Sequence, residues 1–86
     1  MSSADGSVLL TAEQAKELHK VLSHCRHEVN GCLSLIMSAM ELAQLKPDST
    51  PRMIKTAMDQ SKKVNEELAK YSTEFERIMQ SARSQG

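Results

Sequence analysis

Aromatic residues are almost absent from this chain. Its 86 residues include one Phe, one Tyr and no Trp, with only two prolines and three glycines. A core must therefore be built from Leu, Ile, Val, Met and Ala, and six methionines with so few glycines favour helices over sheets. The length suits one domain. Because a lone domain of this size would have a marginal core, we expect a partner chain.

Net charge is absent too, since eleven basic and eleven acidic residues cancel. No basic block or aromatic platform is present, which argues against nucleic-acid binding. No apolar run approaches the roughly 18 residues of a membrane span, and residues 1–6 resemble neither a signal peptide nor a transit peptide. The sequence therefore predicts a cytoplasmic chain with no membrane contact in this segment.

A first helix is predicted over residues 11–45, after a flexible arm of residues 1–10. Thr11 and Gln14 have the spacing of a capping box. Apolar residues then recur in alternating steps of four and three, which is the heptad seam of a helix packed on other helices. The seam consists of Leu18, Leu22, Cys25, Val29, Cys32, Ile36, Ala39 and Ala43.

A second helix is predicted over residues 51–83, after a loop at 46–50 and before a tail at 84–86. Pro47 ends the first helix, Thr50 is the expected N-cap, and Pro51 stands at the first helical position, where its missing N–H costs nothing. So short a connection makes the helices antiparallel neighbours. The second seam is Ile54, Ala57, Ser61, Val64, Leu68, Tyr71, Phe75, Ile78 and Ala82.

Extra apolar residues surround the first helix between Cys32 and Ala43, so that one neighbouring helix cannot cover them. They are Leu33, Leu35, Met37, Met40 and Leu42. An exposed patch of this size favours a second hairpin as the cover. The predicted fold class is therefore all-α: an antiparallel two-helix hairpin that homodimerises into a four-helix bundle. The alternative is a monomer covered by a further helix, for which the arm is too polar.

His27 is the candidate functional residue. It points about 180° away from the middle of the seam, at roughly 100° of rotation per residue. Ser23 and Gly31 stand one turn to either side and Ser34 two turns on, so long side chains are missing around the imidazole. Gly31 costs about 1 kcal/mol relative to Ala inside a helix. Glu28, about 80° from the seam, is placed to bond the imidazole or accept its proton.

A metal site is the competing interpretation of this region, since His24 has helical spacing to both His27 and Glu28. However, Cys25 points inward and no zinc-type spacing is present, so we predict no metal ligands. Cys25 and Cys32 lie about 10 Å apart along one helix, which excludes a disulfide and predicts two buried thiols. No catalytic triad, phosphate loop or carboxylate pair is present.

Residues 22–36 resemble the H-box of sensor histidine kinases, whose dimerisation and phosphoacceptor domain is also a dimeric helical hairpin. The matching residues are His27, Glu28, Val29, Asn30, Leu33 and Ile36. Cys32 replaces the family's proline, and Gly31 replaces the Thr or Asn that the family uses to dephosphorylate its partner. Residues 27–32 also resemble the histidine phosphotransfer motif, in which the glycine gives a receiver domain room to approach and Lys is usual where this chain has Asn30.

Both resemblances imply the same chemistry. His27 would accept a phosphoryl group on a ring nitrogen and pass it to an Asp of a response-regulator receiver domain, with Glu28 orienting the imidazole or taking its proton. Partners would dock on Ser23, Asn30, Gly31 and Ser34. We expect no cofactor in this chain, because the ATP-binding domain, with its ATP and magnesium, would belong to a kinase partner or to the rest of a histidine kinase of which this chain is a fragment. The alternative function is a structural or adaptor coiled coil without phosphotransfer.

Overall fold

Two long antiparallel helices make up the fold in the computed structural model, which describes residues 7–84. Helix α1 spans Ala12–Leu45, a short 3-10 turn spans Pro47–Ser49, and helix α2 spans Thr50–Ser84. No β-strand occurs in the described part of the chain. The all-helical hairpin is thus confirmed. It is a rod with principal extents of 61 × 18 × 17 Å.

The N-terminus of α1 is fixed by the predicted capping box. The Gln14 backbone N–H donates to Thr11 Oγ1 at 3.1 Å, and the Thr11 backbone N–H donates to Gln14 Oε1 at 2.9 Å. Two backbone N–H groups without intrahelical partners are satisfied in this way. Residues 7–10 lie before the helix, whereas residues 1–6 of the predicted arm lie outside the described residues.

The junction between the helices differs from the prediction at one residue. Thr50 has α-helical backbone angles, φ −51° and ψ −49°, and is the first residue of α2, so its assignment as N-cap was wrong. Within the 3-10 turn, the Lys46 carbonyl accepts from Ser49 Oγ at 2.6 Å and from the Ser49 backbone N–H at 2.9 Å, and the Thr50 backbone N–H donates to the Pro47 carbonyl. At the far end α2 continues through Ser84, one residue beyond the prediction, and residues 85–86 lie outside the described part.

The buried core is a narrow line between the helices. Both cysteines are buried free thiols, as predicted, and they share the line with three aliphatic residues and two polar ones. The full set is Gln14, Cys25, Cys32, Ala39, Glu67, Ile78 and Ala82. Because few large side chains are covered, packing within one hairpin stabilises it only weakly.

Several large residues of the predicted seams are left uncovered by this packing. Leu22, Ile54 and Leu68 belong to the seams but are 45%, 55% and 47% exposed. On α2 the residues covered by the pairing also include Gln60, Glu67 and Glu74, each one position before a seam residue. Each seam therefore faces partly toward the neighbouring helix and partly toward one uncovered side of the hairpin. We call this uncovered side the open face. Its apolar residues are Leu22, Val29, Leu33, Ile36, Met40, Ile54, Leu68 and Phe75.

Candidate functional site

His27 lies on the outer surface of α1, as predicted, and is exposed. By helical rotation it points roughly 150° away from the line through the buried Cys25 and Cys32. The helix is continuous for fifteen residues before it and eighteen after it. A site on a helix is positioned more precisely than one on a loop, so the backbone of α1 sets the side from which His27 is reached, and its imidazole is accessible to solvent.

Gly31 leaves open space one turn after His27. A Cβ atom built on Gly31 would have no neighbouring heavy atom within 4 Å. Packing therefore does not require glycine here, although glycine costs helix stability of about 1 kcal/mol relative to Ala. Of the other predicted docking residues, Asn30 and Ser34 are exposed and Ser23 is half-buried. On the C-terminal side of His27, the surface at Gly31 and Ser34 thus carries no large side chain.

Glu28 is half-buried beside His27. Within the described residues, no hydrogen bond joins the two side chains, and the Glu28 carboxylate has no ion-pair partner (the ion pairs there involve Asp59, Glu67, Glu17 and Glu74). The carboxylate is therefore adjacent to the imidazole and is not engaged elsewhere.

A groove of about 500 Å³ runs between the helices on the side opposite the open face. Sequence reasoning did not predict it, because it forms only when α1 and α2 pair. Its floor is largely apolar and its rims are charged, and exposed His24 stands at its edge, one turn before His27. The lining residues are Glu17, Lys20, Val21, His24, Cys25, Glu67, Lys70, Tyr71 and Glu74.

Charged residues connect the two helices toward the end of the hairpin that lies away from the loop. Arg77 donates to the carboxylates of both Glu17 on α1 and Glu74 on α2. These hydrogen bonds, first that to Glu17 and then that to Glu74, raise the pKa of Arg77 above its usual value. Deeper in the groove, Lys70 Nζ lies 3.2 Å from Glu67 Oε1, whose side chain is largely buried.

Cys25, which lies between the candidate ligands of the competing metal site in sequence, is turned away from His27. Cys25 turns into the helix interface, with its Sγ 3.9 Å from the Glu67 carbonyl oxygen, so it points away from His27. No group of three or more His, Cys, Asp or Glu side chains that could hold a metal ion occurs within residues 7–84.

Comparison with models of known protein families, with curated proteins and with solved structures gave no match to this chain. Across residues 7–84, neither helix combines the length and apolarity needed to cross a membrane.

Proposed function

We propose that this protein is a histidine phosphotransfer module of a two-component or phosphorelay system, acting in the cytoplasm, with His27 as its phosphoacceptor. The observation that carries the proposal is the pairing of an outward imidazole with open space at Gly31. A structural coiled coil needs neither feature. Gly31 lowers helix stability without relieving any contact, which favours a role in admitting a partner.

The first step is attack by the unprotonated ring nitrogen of His27 on the γ-phosphorus of ATP held by a kinase partner. A nitrogen–phosphorus bond forms while the bond from phosphorus to the bridging oxygen breaks, and ADP leaves with that electron pair. The ring becomes cationic and loses the proton on its other nitrogen. Glu28, adjacent and not otherwise paired, is the nearest carboxylate in sequence to accept that proton or to orient the ring.

The second step returns the ring to its starting state. The phosphorylated imidazole regains a proton, which makes its nitrogen a better leaving group. A carboxylate oxygen of a receiver-domain Asp then attacks phosphorus, the nitrogen–phosphorus bond breaks, and the electron pair returns to nitrogen. The products are an acyl phosphate on the receiver and neutral His27.

In this proposal, magnesium and nucleotide are held by the partner domains. What this chain supplies is position. A phosphoacceptor fixed on a long helix can be presented in the same geometry to a kinase domain and to a receiver domain, and orienting the reactants provides much of the catalysis of phosphoryl transfer.

The working form in this proposal is a homodimeric four-helix bundle. The single hairpin exposes 6440 Å², whereas a compact monomer of 9.6 kDa exposes about 5,100 Å². The excess exceeds the roughly 800 Å² that one partner contributes to a standard interface. The open face, with Leu33, Met40 and Ile54 at 48%, 62% and 55% exposure, is the surface to be covered.

Phosphotransfer is tested by incubating the full chain with each histidine kinase and each phosphorylated receiver domain encoded in the same genome. At least one donor should produce an acid-labile, base-stable label, the signature of a phosphoramidate. His27→Gln should abolish the label with unchanged helicity, and His24→Gln, the matched control one turn away, should retain it. A complete panel that labels nothing, or labels the His27 variant equally, would leave the structural coiled coil as the function.

A further inference from the structure

The groove between the two helices is bounded at both ends by contacts that join them. Toward the loop, Cys25 Sγ lies 3.9 Å from the Glu67 carbonyl oxygen, so the helices meet there. At the other end, the guanidinium of Arg77 on α2 reaches across to the carboxylate of Glu17 on α1. On α1 the groove therefore extends from Glu17 to Cys25, about 12 Å at 1.5 Å per residue. This length is shorter than the roughly 15–20 Å of an average helix, so the groove suits a small molecule better than a partner helix.

The floor of this groove is apolar. Val21 on α1 and Tyr71 on α2 line it from opposite sides, and both are half-buried. The buried Cys25 completes the floor. The groove volume of about 500 Å³ falls within the roughly 300–1,000 Å³ that small-molecule sites occupy, and such sites combine an apolar lining with a few polar groups. The occupant should therefore have an apolar body.

The carboxylates that line the groove are all paired with basic groups. Glu67 lies 3.2 Å from Lys70 Nζ. Glu17 and Glu74 both accept from Arg77. Their negative charges are thus compensated within the hairpin, and they offer little attraction to a cationic ligand.

The uncompensated charge of the groove is positive. Lys20 lines it, is exposed and takes part in none of the ion pairs within residues 7–84. His24 follows Lys20 by one turn, so the two side chains lie along the same edge. The carboxylates of α1 nearest to Lys20 that form no ion pair, Glu13 and Glu28, stand about two turns away and do not line the groove. Charge complementarity therefore favours an anion at this edge.

We propose that the groove binds a small amphipathic carboxylate, with its acid group at Lys20 and His24 and its apolar body over Val21 and Tyr71. The lysine ammonium and an imidazole N–H would donate to the carboxylate, and hydrogen bonds of this kind are strengthened by charge. The apolar body would cover the floor of the groove. This activity is separate from phosphotransfer and does not depend on it. A second copy on the open face would leave the groove accessible, because the groove lies on the opposite side of the hairpin.

Nuclear magnetic resonance of the full chain with decanoate, kept below its micelle concentration, tests where the ligand binds. The decanoate methylenes should show intermolecular Overhauser contacts to the Val21 methyls and the Tyr71 ring, and none to the Met40 methyl of the open face. Decanoate should bind about fivefold more tightly than decanol, and decylammonium should bind most weakly. Contacts confined to the open face, equal affinity for the three amphiphiles, or absence of saturable binding would overturn the proposal.

A pair of lysine variants tests the anchoring charge. Lys20→Glu should weaken decanoate binding by about tenfold, since it replaces an attraction with a repulsion, and should leave decanol binding unchanged. Lys16→Glu is the matched control: Lys16 is exposed one turn earlier on the same helix and does not line the groove. It changes the net charge equally and should bind decanoate nearly as the parent does. Equal weakening by both variants, or by neither, would show that Lys20 does not anchor the carboxylate and would overturn the assignment.

Discussion

Cys25 Sγ lies 3.9 Å from the main-chain carbonyl oxygen of Glu67, and this contact marks the height at which the two helices meet. Both residues are buried. A small thiol lets the α2 backbone approach α1 closely at this point, and the Glu67 carboxylate reaches the groove, where Lys70 pairs with it. The phosphoacceptor candidate His27 stands two residues beyond this contact on the outside of the same helix.

Because both thiols are buried, we expect them to react slowly with a thiol reagent in the folded state. Cys25 and Cys32 are 7% and 3% exposed, and a thiol must reach the surface as thiolate to react. A thiol reagent should therefore modify the native protein slowly and both cysteines rapidly in denaturant. Rapid modification of both under native conditions would mean that the helix faces are misassigned, and His27 would lose its outward position with them.

The capping box predicts a local stability effect at the start of α1. Thr11→Ala removes the acceptor for the Gln14 backbone N–H and should lower the unfolding free energy by about 1 kcal/mol. Thr11→Ser retains a hydroxyl and should stay close to the parent. Urea denaturation at one fixed protein concentration makes the comparison, since dimerisation couples stability to concentration. Equal losses for both variants would show that the cap contributes nothing.

The hairpin was predictable from sequence because its signals are local: heptad spacing, the capping box and two prolines. The predicted seams were less informative about which residues α1 and α2 bury against each other. A heptad pattern gives the average direction of a helix's covered surface. In a bundle that average direction lies between two neighbouring helices. Hence Ile54 and Leu68 were expected inside but are exposed in the single hairpin.

Two further differences have separate physical causes. Glu67 is a charged residue that pattern analysis assigns to the surface, but it is buried because its aliphatic stem packs between the helices while Lys70 pairs with its carboxylate. Thr50 looked like an N-cap because Thr before Pro commonly is one. The 3-10 turn at Pro47–Ser49 instead leads directly into α2. The exposed positions of His27 and Gly31, by contrast, were predictable from helical rotation alone.

A matched pair of leucines tests which side of the hairpin is covered. Leu33 on the open face and Leu35 on the opposite flank are similarly exposed, at 48% and 51%. Leu33→Asp should dissociate the dimer, because each copy would bury a carboxylate without a partner. Leu35→Asp should leave it intact. Sedimentation equilibrium at micromolar concentration distinguishes the two, and a parent protein that is a folded 9.6 kDa monomer would contradict the homodimer itself.

We expect substitutions of Gly31 to affect the stability of the helix and the rate of phosphotransfer separately. Gly31→Ala should raise the unfolding free energy by up to about 1 kcal/mol, since the new methyl meets no neighbouring atom and alanine favours the helix. Gly31→Arg should also fold, because arginine is a good helix former, yet its long side chain would occupy the open strip beside His27. Transfer from phosphorylated protein to a receiver domain should then be slow for Gly31→Arg and near parental for Gly31→Ala.

Gln44→Arg, which adds the same side chain on exposed surface far from His27, should not slow transfer. If Gly31→Arg transfers as fast as Gly31→Ala, the glycine is not there to admit a partner, and the main structural support for phosphotransfer is lost.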